Sequence, residues 1–374
     1  MPTPLISVII PTRERAGTLA YTLASALDQT STEYEVVVSD NVSEDDTADV
    51  VNAQQDGRIR YFRTSQRLSM CDNYEFALGQ ARGEYVIIIG DDDAVIPGRL
   101  DALLARLRTL PEPVIHMWPL HIYDWPVDGR PAMATYVAPE SPETILDLKA
   151  KGRRVMALGG WKYYELPSPY HAAIPRRILD ALRDRTGRVF HSTQPDVFTA
   201  MAIPVFADRA INIGNTVTLN GRSAKSNGLG FVKRGALPNI ERFIGEYGDY
   251  AFHPSLYNGT SAMANMIPDA VLKAKDFFPE IYGNVAFNYS AMWAYIARLR
   301  FAKHSDVLRK SSEIRQAHPF SIAEFIGYSA VHEGAAARRH VLNTVGMARR
   351  GDACLADNIH DFVKLLAASR PDAK

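Results

Sequence analysis

The chain has 374 residues, enough for a sizeable core and one to three domains, and its 47% hydrophobic and 22% charged residues exclude a disordered or fibrous protein. Lysine plus arginine and aspartate plus glutamate both total 42, and a formal charge of zero argues against a dedicated nucleic-acid binder. The first 125 residues then alternate strand and helix. Leu5–Ile10 is a continuous apolar run, the pattern of a parallel strand buried on both faces. Leu19, Leu23, Ala26 and Leu27 recur at helical spacing behind Thr18, read as the N-cap. Tyr34–Ser39 is a second strand, and Ser43 with Asp46 predicts a capping box for a short helix through Val51. Ile59–Phe62 is a third strand, followed by a helix capped by Ser69 and stopped by Gly83. The fourth strand, Tyr85–Ile89, is the most apolar and runs into Gly90, Asp91, Asp92 and Asp93. Pro97 opens the next helix, with Leu100, Leu103, Leu104 and Leu107 as its buried stripe. Val114–Tyr123 reads as a further strand. Strands alternating with helices of this length predict an α/β fold on a mostly parallel sheet with flanking helices.

Asp124–Lys162 is rich in proline and glycine and reads as loops over the sheet. Tyr170–Asn220 returns to an alternating pattern with a helix over Pro195–Ala202, and Gly221–Gly230 has the composition of a lid in which Arg222 or Lys225 could reach donor phosphates. Beyond about residue 235 the pattern is helical, with stripes at Met292, Tyr295, Ile296 and Leu299 and at Ile322, Phe325, Ile326 and Ser329. The expected organisation is residues 1–234 as one α/β domain, its 1–125 half binding a donor and its 126–234 half an acceptor, with 235–374 as a C-terminal helical region.

In an open parallel sheet, ligands bind outside the carboxyl ends of the strands. Two acidic groups fall there: Asp40 after the second strand and Asp91–Asp93 after the fourth. Three adjacent carboxylates repel one another unless a cation or donors compensate, and oxygen ligands suit Mg²⁺ or Mn²⁺. The bland alternatives are a solvated acidic turn and a helix-capping Asp40. Pro11-Thr12-Arg13-Glu14-Arg15 after the first strand has neither a dinucleotide-binding nor a Walker pattern, which disfavours dehydrogenases and P-loop kinases.

Ile6–Thr12, Val38–Thr47 and Ala81–Asp93 together resemble a family 2 glycosyltransferase over residues 5–110. The resemblance implies the GT-A fold, a nucleotide-diphosphate-sugar donor (UDP favoured) and a DxD motif holding Mn²⁺ or Mg²⁺. By position, Thr12 and Asp40 would meet base and ribose, with Pro11, Arg13, Asn41 and Arg67 completing the donor-binding set. Asp91 and Asp92 would face the diphosphate, and Asp91, Asp92 and Asp93 would share the metal. Gly90 stands where the family usually has an aspartate that touches the ribose, and Asp91 replaces a small residue and is placed to take that contact. Which of the three carboxylates ligates the cation stays open.

Inverting transfer to an acceptor hydroxyl needs a general base, which family members carry at a helix start about 100 residues beyond the metal motif. Asp196, in the first turn after Pro195, fits, and the helix dipole favours a carboxylate there whether or not it is catalytic. Glu165 and Asp208 are reserves. His171, His191 and His253 could each complete a metal shell or be structural. Trp161, Tyr163, Tyr164 and Tyr170 could stack on an acceptor sugar or simply pack. Family context implies polysaccharide or glycan assembly on a glycan, lipid-linked or other hydroxyl acceptor. The alternatives are a nucleotidyltransferase, which would need a basic glycine-rich triphosphate loop, and a non-catalytic nucleotide-sugar binder of the same fold.

Only Cys71 and Cys354 are present, so no disulfide framework is expected. Met1–Arg15 does not read as a signal peptide and no apolar run reaches membrane-spanning length, so a cytoplasmic protein is expected. Residues 291–350 hold ten Lys or Arg against four Asp or Glu, including Arg338-Arg339 and Arg349-Arg350. Such a surface could meet anionic lipid peripherally, serve a homo-oligomer interface, or be a solvated helix face.

Overall fold

The structure is a computed structural model, and it describes residues 3–126, 132–225, 237–259, 262–299, 301–348, 356 and 358–368. Cys354, Arg349-Arg350 and the end of the glycine-rich loop, 226–230, lie outside the described residues. The strands are β1 (Ile6–Thr12), β2 (Tyr34–Asp40), β3 (Ile59–Arg63), β4 (Tyr85–Ile88), β5 (Ala94–Val95), β6 (Ile115–Met117), β7 (Ile122–Asp124), β8 (Met133–Tyr136), β9 (Thr144–Asp147), β10 (Ala172–Pro175), β11 (Arg209–Asn212) and β12 (Thr218–Arg222). The helices that matter most for the site are α1 (Ala16–Leu27), α2 (Thr47–Ala53), α3 (Met70–Gln80), α4 (Arg99–Arg108), α5 (Leu148–Ala157), α6 (Arg176–Thr186) and α7 (Pro195–Phe206). Further helices cover Leu237–Gly245, Ala262–Phe277, Tyr289–Arg298, Ile322–Ala348 and Ile359–Ala368.

An eight-stranded sheet runs in the order β3-β2-β1-β4-β10-β6-β11-β9. Its first four strands are parallel, as the sequence predicts, whereas β10 is antiparallel to both β4 and β6, so the sheet is mixed beyond β4. A second sheet, β5-β12-β7-β8, stands over the end of β4. β1 shows why the parallel strands are so apolar. Ile6, Val8 and Ile10 pack with α1 and α4 on one face, while Ile9 joins the other face with Val37, Leu78 and the α6 and α7 side chains. That second cluster continues through Val271, Trp293 and Phe325, so the C-terminal helices share the core of the sheet.

Several local expectations change. α1 starts at Ala16, and Thr18 bonds back to the Arg15 carbonyl instead of capping. Ser43 does not cap α2; its hydroxyl accepts from the Glu14 amide, tying the β1 loop to the β2 loop. Ser69 does cap α3, accepting from the Asp72 amide, and α3 ends at Gln80 before Gly83. Gly98, not Pro97, caps α4. Val114–Tyr123 divides into β6 and β7, which belong to different sheets, and the 124–162 stretch holds β8, β9 and α5. α7 runs to Phe206, through Pro204. The Ile322 stripe is only half right, with Phe325 buried and Ile326 55% exposed. Among the described residues no helix is long and apolar enough to cross a membrane.

Candidate active site

The acidic turn forms where β4 ends beside β1, and it is clamped from all sides. The Ile89 amide donates to the Ile9 carbonyl, Thr22 Oγ1 donates to the Asp93 carbonyl at 2.8 Å, and Trp125 Nε1 donates to the Asp92 carbonyl at 2.8 Å. β12 lies so close that a Cβ on Gly221 would sit 1.6 Å from the Asp92 carbonyl oxygen, so only glycine fits. At Gly90 an added Cβ would meet Asp92 Oδ1 and Asp93 Oδ2 at 3.0 Å, a tight fit at the position where the resemblance expects the ribose-contacting aspartate.

The three carboxylates are buried and take different partners. Asp91 accepts from Thr12 Oγ1 at 2.7 Å and the Arg13 amide at 3.4 Å, and pairs with Arg15 Nη1 at 2.7 Å. Asp92 accepts from Ser223 Oγ at 2.7 Å and the Ser223 amide at 3.1 Å, with Arg15 Nη1 at 3.9 Å. Asp93 is spent on the fold: it accepts from the Gly90 amide (2.5 Å), the Gly221 amide (2.7 Å) and the Tyr170 hydroxyl (2.9 Å). Burial pushes the Asp92 carboxyl up to about 7, with Arg15 opposing and Asp93 and Asp91 adding to the rise. Burial works against the Arg15 charge, but Asp91 and Asp92 outweigh it and hold the guanidinium above its usual range.

Residues 169–171 pair with the end of β4, which delivers His171 to the cluster in a left-handed conformation, φ 61°. Its Nδ1 contacts Thr218 Oγ1 at 2.8 Å, while the buried Nε2 lies 3.1 Å from Asp93 Oδ2 and makes no hydrogen bond. Asp91 and Asp92 carry oxygen donors of the kind that suits Mg²⁺ or Mn²⁺. Among the described residues no three His, Cys, Asp or Glu side chains already converge on one point, and Arg15 covers the face that Asp91 and Asp92 share.

The remaining sequence-predicted residues separate into two groups. Thr12 and Arg13 join the cluster, and Arg13 also pairs with Glu246 at 2.8 Å. Asp40 is fully buried, accepting from the Ser43 amide (2.8 Å), Tyr61 (2.6 Å) and Arg63 (3.0 Å). Asn41 clamps both backbone groups of Leu68 at 2.8 Å, a structural role. Arg67 is half exposed, 3.9 Å from Glu246. Pro11 lies in the β1–β2 pairing opposite Ser39. Arg222 is engaged by Asp124 (2.5 and 2.7 Å) in the small sheet, and Lys225 Nζ donates to the Glu14 carbonyl, so neither is poised as a free phosphate ligand.

Asp196 opens α7 as predicted. Burial raises its pKa, while the Val197 and Asp196 amides and His171 pull it down. Burial raises the Tyr74 pKa, and the charges of Asp196, Asp93 and Asp91 add to the rise. The reserves behave otherwise. Glu165 pairs with Lys162 (2.8 Å) and Lys151 (3.2 Å), and Asp208 is exposed beside Lys149 (2.6 Å). Both are held below their usual pKa: Glu165 by its lysines against the opposing effect of burial, Asp208 by Lys149. His191 is bound to the Arg188 carbonyl and His253 to Asp276, away from the acidic cluster. Of the aromatic residues, Tyr170 serves Asp93 and Trp161 packs on His332. Arg15, Ser223 and Tyr74 were not selected from sequence, since nothing in their spacing marks them; only the β12 register and the α3 position bring them in.

Residues 7–164 match the family described as Glycosyl transferase family 2. The chain carries a family 2 glycosyltransferase domain. Within it, 106 residues are 37% identical to the "GalNAc(5)-diNAcBac-PP-undecaprenol beta-1,3-glucosyltransferase" of Campylobacter jejuni, covering 28% of this chain and 34% of that one. A further 33% identity over 105 residues relates it to the "UDP-Glc:alpha-D-GlcNAc-diphosphoundecaprenol beta-1,3-glucosyltransferase WfaP" of Escherichia coli, covering 28% and 42%. The chain thus matches 34% and 42% of the length of these two curated relatives. Among solved structures, S. aureus TarS 1-349 in complex with UDP-GlcNAc aligns with a TM-score of 0.48 at 16% identity, covering 84% of this chain and 93% of that one.

Proposed function

We propose that this glycosyltransferase domain moves a sugar from a nucleoside-diphosphate donor, a UDP-sugar in the favoured reading, to an acceptor hydroxyl with inversion, in polysaccharide or lipid-linked glycan assembly. The observation that carries the reading is the convergence of Thr12 and Arg15 on Asp91 and Asp92 at the carboxyl ends of β1 and β4. Two relatives whose names specify undecaprenol-diphosphate-linked acceptors support the acceptor class.

In this scheme Asp91 and Asp92 would hold Mn²⁺ or Mg²⁺, which would supply Lewis-acid stabilisation of the departing diphosphate. Asp93 keeps the turn, β12 and Tyr170 in register. Arg15 swings from the carboxylates to the donor phosphates, where its planar fork suits bidentate binding. Asp40, with Tyr61 and Arg63, forms the base and ribose end of the groove. Asp196 accepts the acceptor's proton, and its raised pKa makes it a stronger base than an ordinary aspartate. A lipid-linked acceptor would bring the basic 291–350 segment, with exposed Arg338, to the membrane surface.

The test is nucleotide release from a panel of UDP-, GDP- and dTDP-sugars with Mn²⁺, comparing wild type with Asp92→Asn. Turnover of one donor class, lost in the variant and on chelation, is expected. No release from any donor, with no nucleotide binding, would sink the proposal.

A further inference from the structure

A cavity of about 400 Å³ is walled by the start of α3, the 188–192 loop, Glu246, Tyr247, Tyr250, Lys273 and Phe277. Most of its wall lies beyond residue 164, where the family match ends. Its size is that of a small-molecule site. Four aromatic rings line it: Phe190, Tyr247, Tyr250 and Phe277. Phe277 is 38% exposed, yet its ring is fixed against His191 (4.9 Å) and Phe198 (5.7 Å), an exposed apolar face held rigid at the cavity wall. Tyr250 is also fixed, beneath Lys273 Nζ at 4.0 Å and bonded to buried Asp269.

The charged lining is balanced, Asp72 and Glu246 against Arg188 and Lys273. Arg188 pairs with Asp72 at 2.7 Å, and Glu246 answers Arg13. His191 is kept neutral, its pKa pushed down to about 4 by burial and then by Arg188. The exposed Phe277 ring, in a lining that also holds carboxylate and guanidinium groups, fits a sugar, whose ring C–H face is apolar and whose edge carries hydroxyls. The balanced charge gives no advantage to a phosphate or diphosphate.

The cavity is bonded to both halves of the active site. Glu246 holds Arg13, whose amide donates to Asp91. On the other wall Cys71 Sγ donates to the Ser192 carbonyl at 2.8 Å, and the Thr193 amide reaches Tyr250 Oη at 3.3 Å, three residues before Asp196. We propose that this cavity is the acceptor-glycan subsite, binding an uncharged sugar residue adjacent to the one that is glycosylated. The identification of the bound glycan as acceptor rests on the glycosyl-transfer reading above; the binding itself does not.

The probe is a set of neutral disaccharide methyl glycosides (lactoside, cellobioside, maltoside and N,N′-diacetylchitobioside) in saturation-transfer NMR without donor or metal. Wild type should transfer saturation to the ring protons of at least one. Phe277→Ala and, independently, Arg188→Gln should weaken that binding about tenfold, as loss of one rigid contact group predicts, with circular dichroism unchanged. Exposed Ile145, on β9 at the far edge of the sheet, serves as the control site, and Ile145→Ala should bind as wild type. No saturation with any disaccharide, equal binding by both pocket variants, or displacement by inorganic pyrophosphate would overturn the assignment. Because this assay needs no turnover, its failure is separate from failure of glycosyl transfer, which donor breakdown reads.

Discussion

Arg15→Gln removes the one guanidinium that faces two buried carboxylates. At an effective dielectric of about 20, the 2.7 Å contact with Asp91 is worth about 6 kcal/mol and the 3.9 Å approach to Asp92 about 4, before desolvation is counted. Breaking one side of such a buried pair costs about 3–5 kcal/mol. Asp92, already raised to about 7, takes up a proton once Arg15 is gone, which holds the loss near the lower end, about 3 kcal/mol. With about 2.1 cal/mol/K of unfolding entropy per residue over 374 residues, that loss lowers Tm by about 4 °C. Scanning calorimetry without metal should show the drop, and Asp91→Asn in the Arg15→Gln background should recover part of it. Mn²⁺ should raise the Tm of Arg15→Gln more than that of wild type, since the ion no longer competes with the guanidinium. An unchanged Tm in Arg15→Gln, or no recovery on adding Asp91→Asn, would refute the idea that Arg15 is the resident counter-charge of the cluster.

Gly221→Ala drives a Cβ into the Asp92 carbonyl, so β12 must move; the variant should melt well below wild type and lose nucleotide binding, measured by calorimetry. Phe362 is fully buried and stacked on Tyr123 at 5.5 Å, and Phe362→Ala should cost about 3–5 kcal/mol by denaturant unfolding, because that helix covers the small sheet behind Trp125. For Asp92 the folded pKa is raised, so its contribution to stability is present below the ordinary carboxylate pKa and is lost as pH rises through about 7. Metal-free wild type should therefore lose more stability between pH 5 and 8 than Asp92→Asn, as followed by thermal melts across that range.

Residues 1–125 were legible because β1, β2 and β4 are buried on both faces and the helices between them carry regular apolar stripes, so pattern alone ordered them. Residues 126–234 were not. β8 and β9 have four residues each, too short for a period to show, and β9 is largely exposed. Asp196 could be found because Pro195 marks a helix start, and Asp91–Asp93 because they end the most apolar strand. Arg15 and Ser223 act through register across more than 70 and 130 residues of chain, which no local spacing records. Ser43 illustrates the reverse error: its capping-box spacing is genuine, but the β1 loop claims its hydroxyl first.

The central claim, that Asp196 is the base serving a donor held at Asp91 and Asp92, is tested most directly by Asp196→Asn. The raised pKa means the ionised carboxylate adds nothing to stability, so Tm should hold or rise, and UDP with Mn²⁺ should bind as in wild type. Sugar release from the donor should fall about 10²–10⁴-fold, the range a general base supplies. Release at the wild-type rate, or loss of nucleotide binding together with activity, would contradict the account.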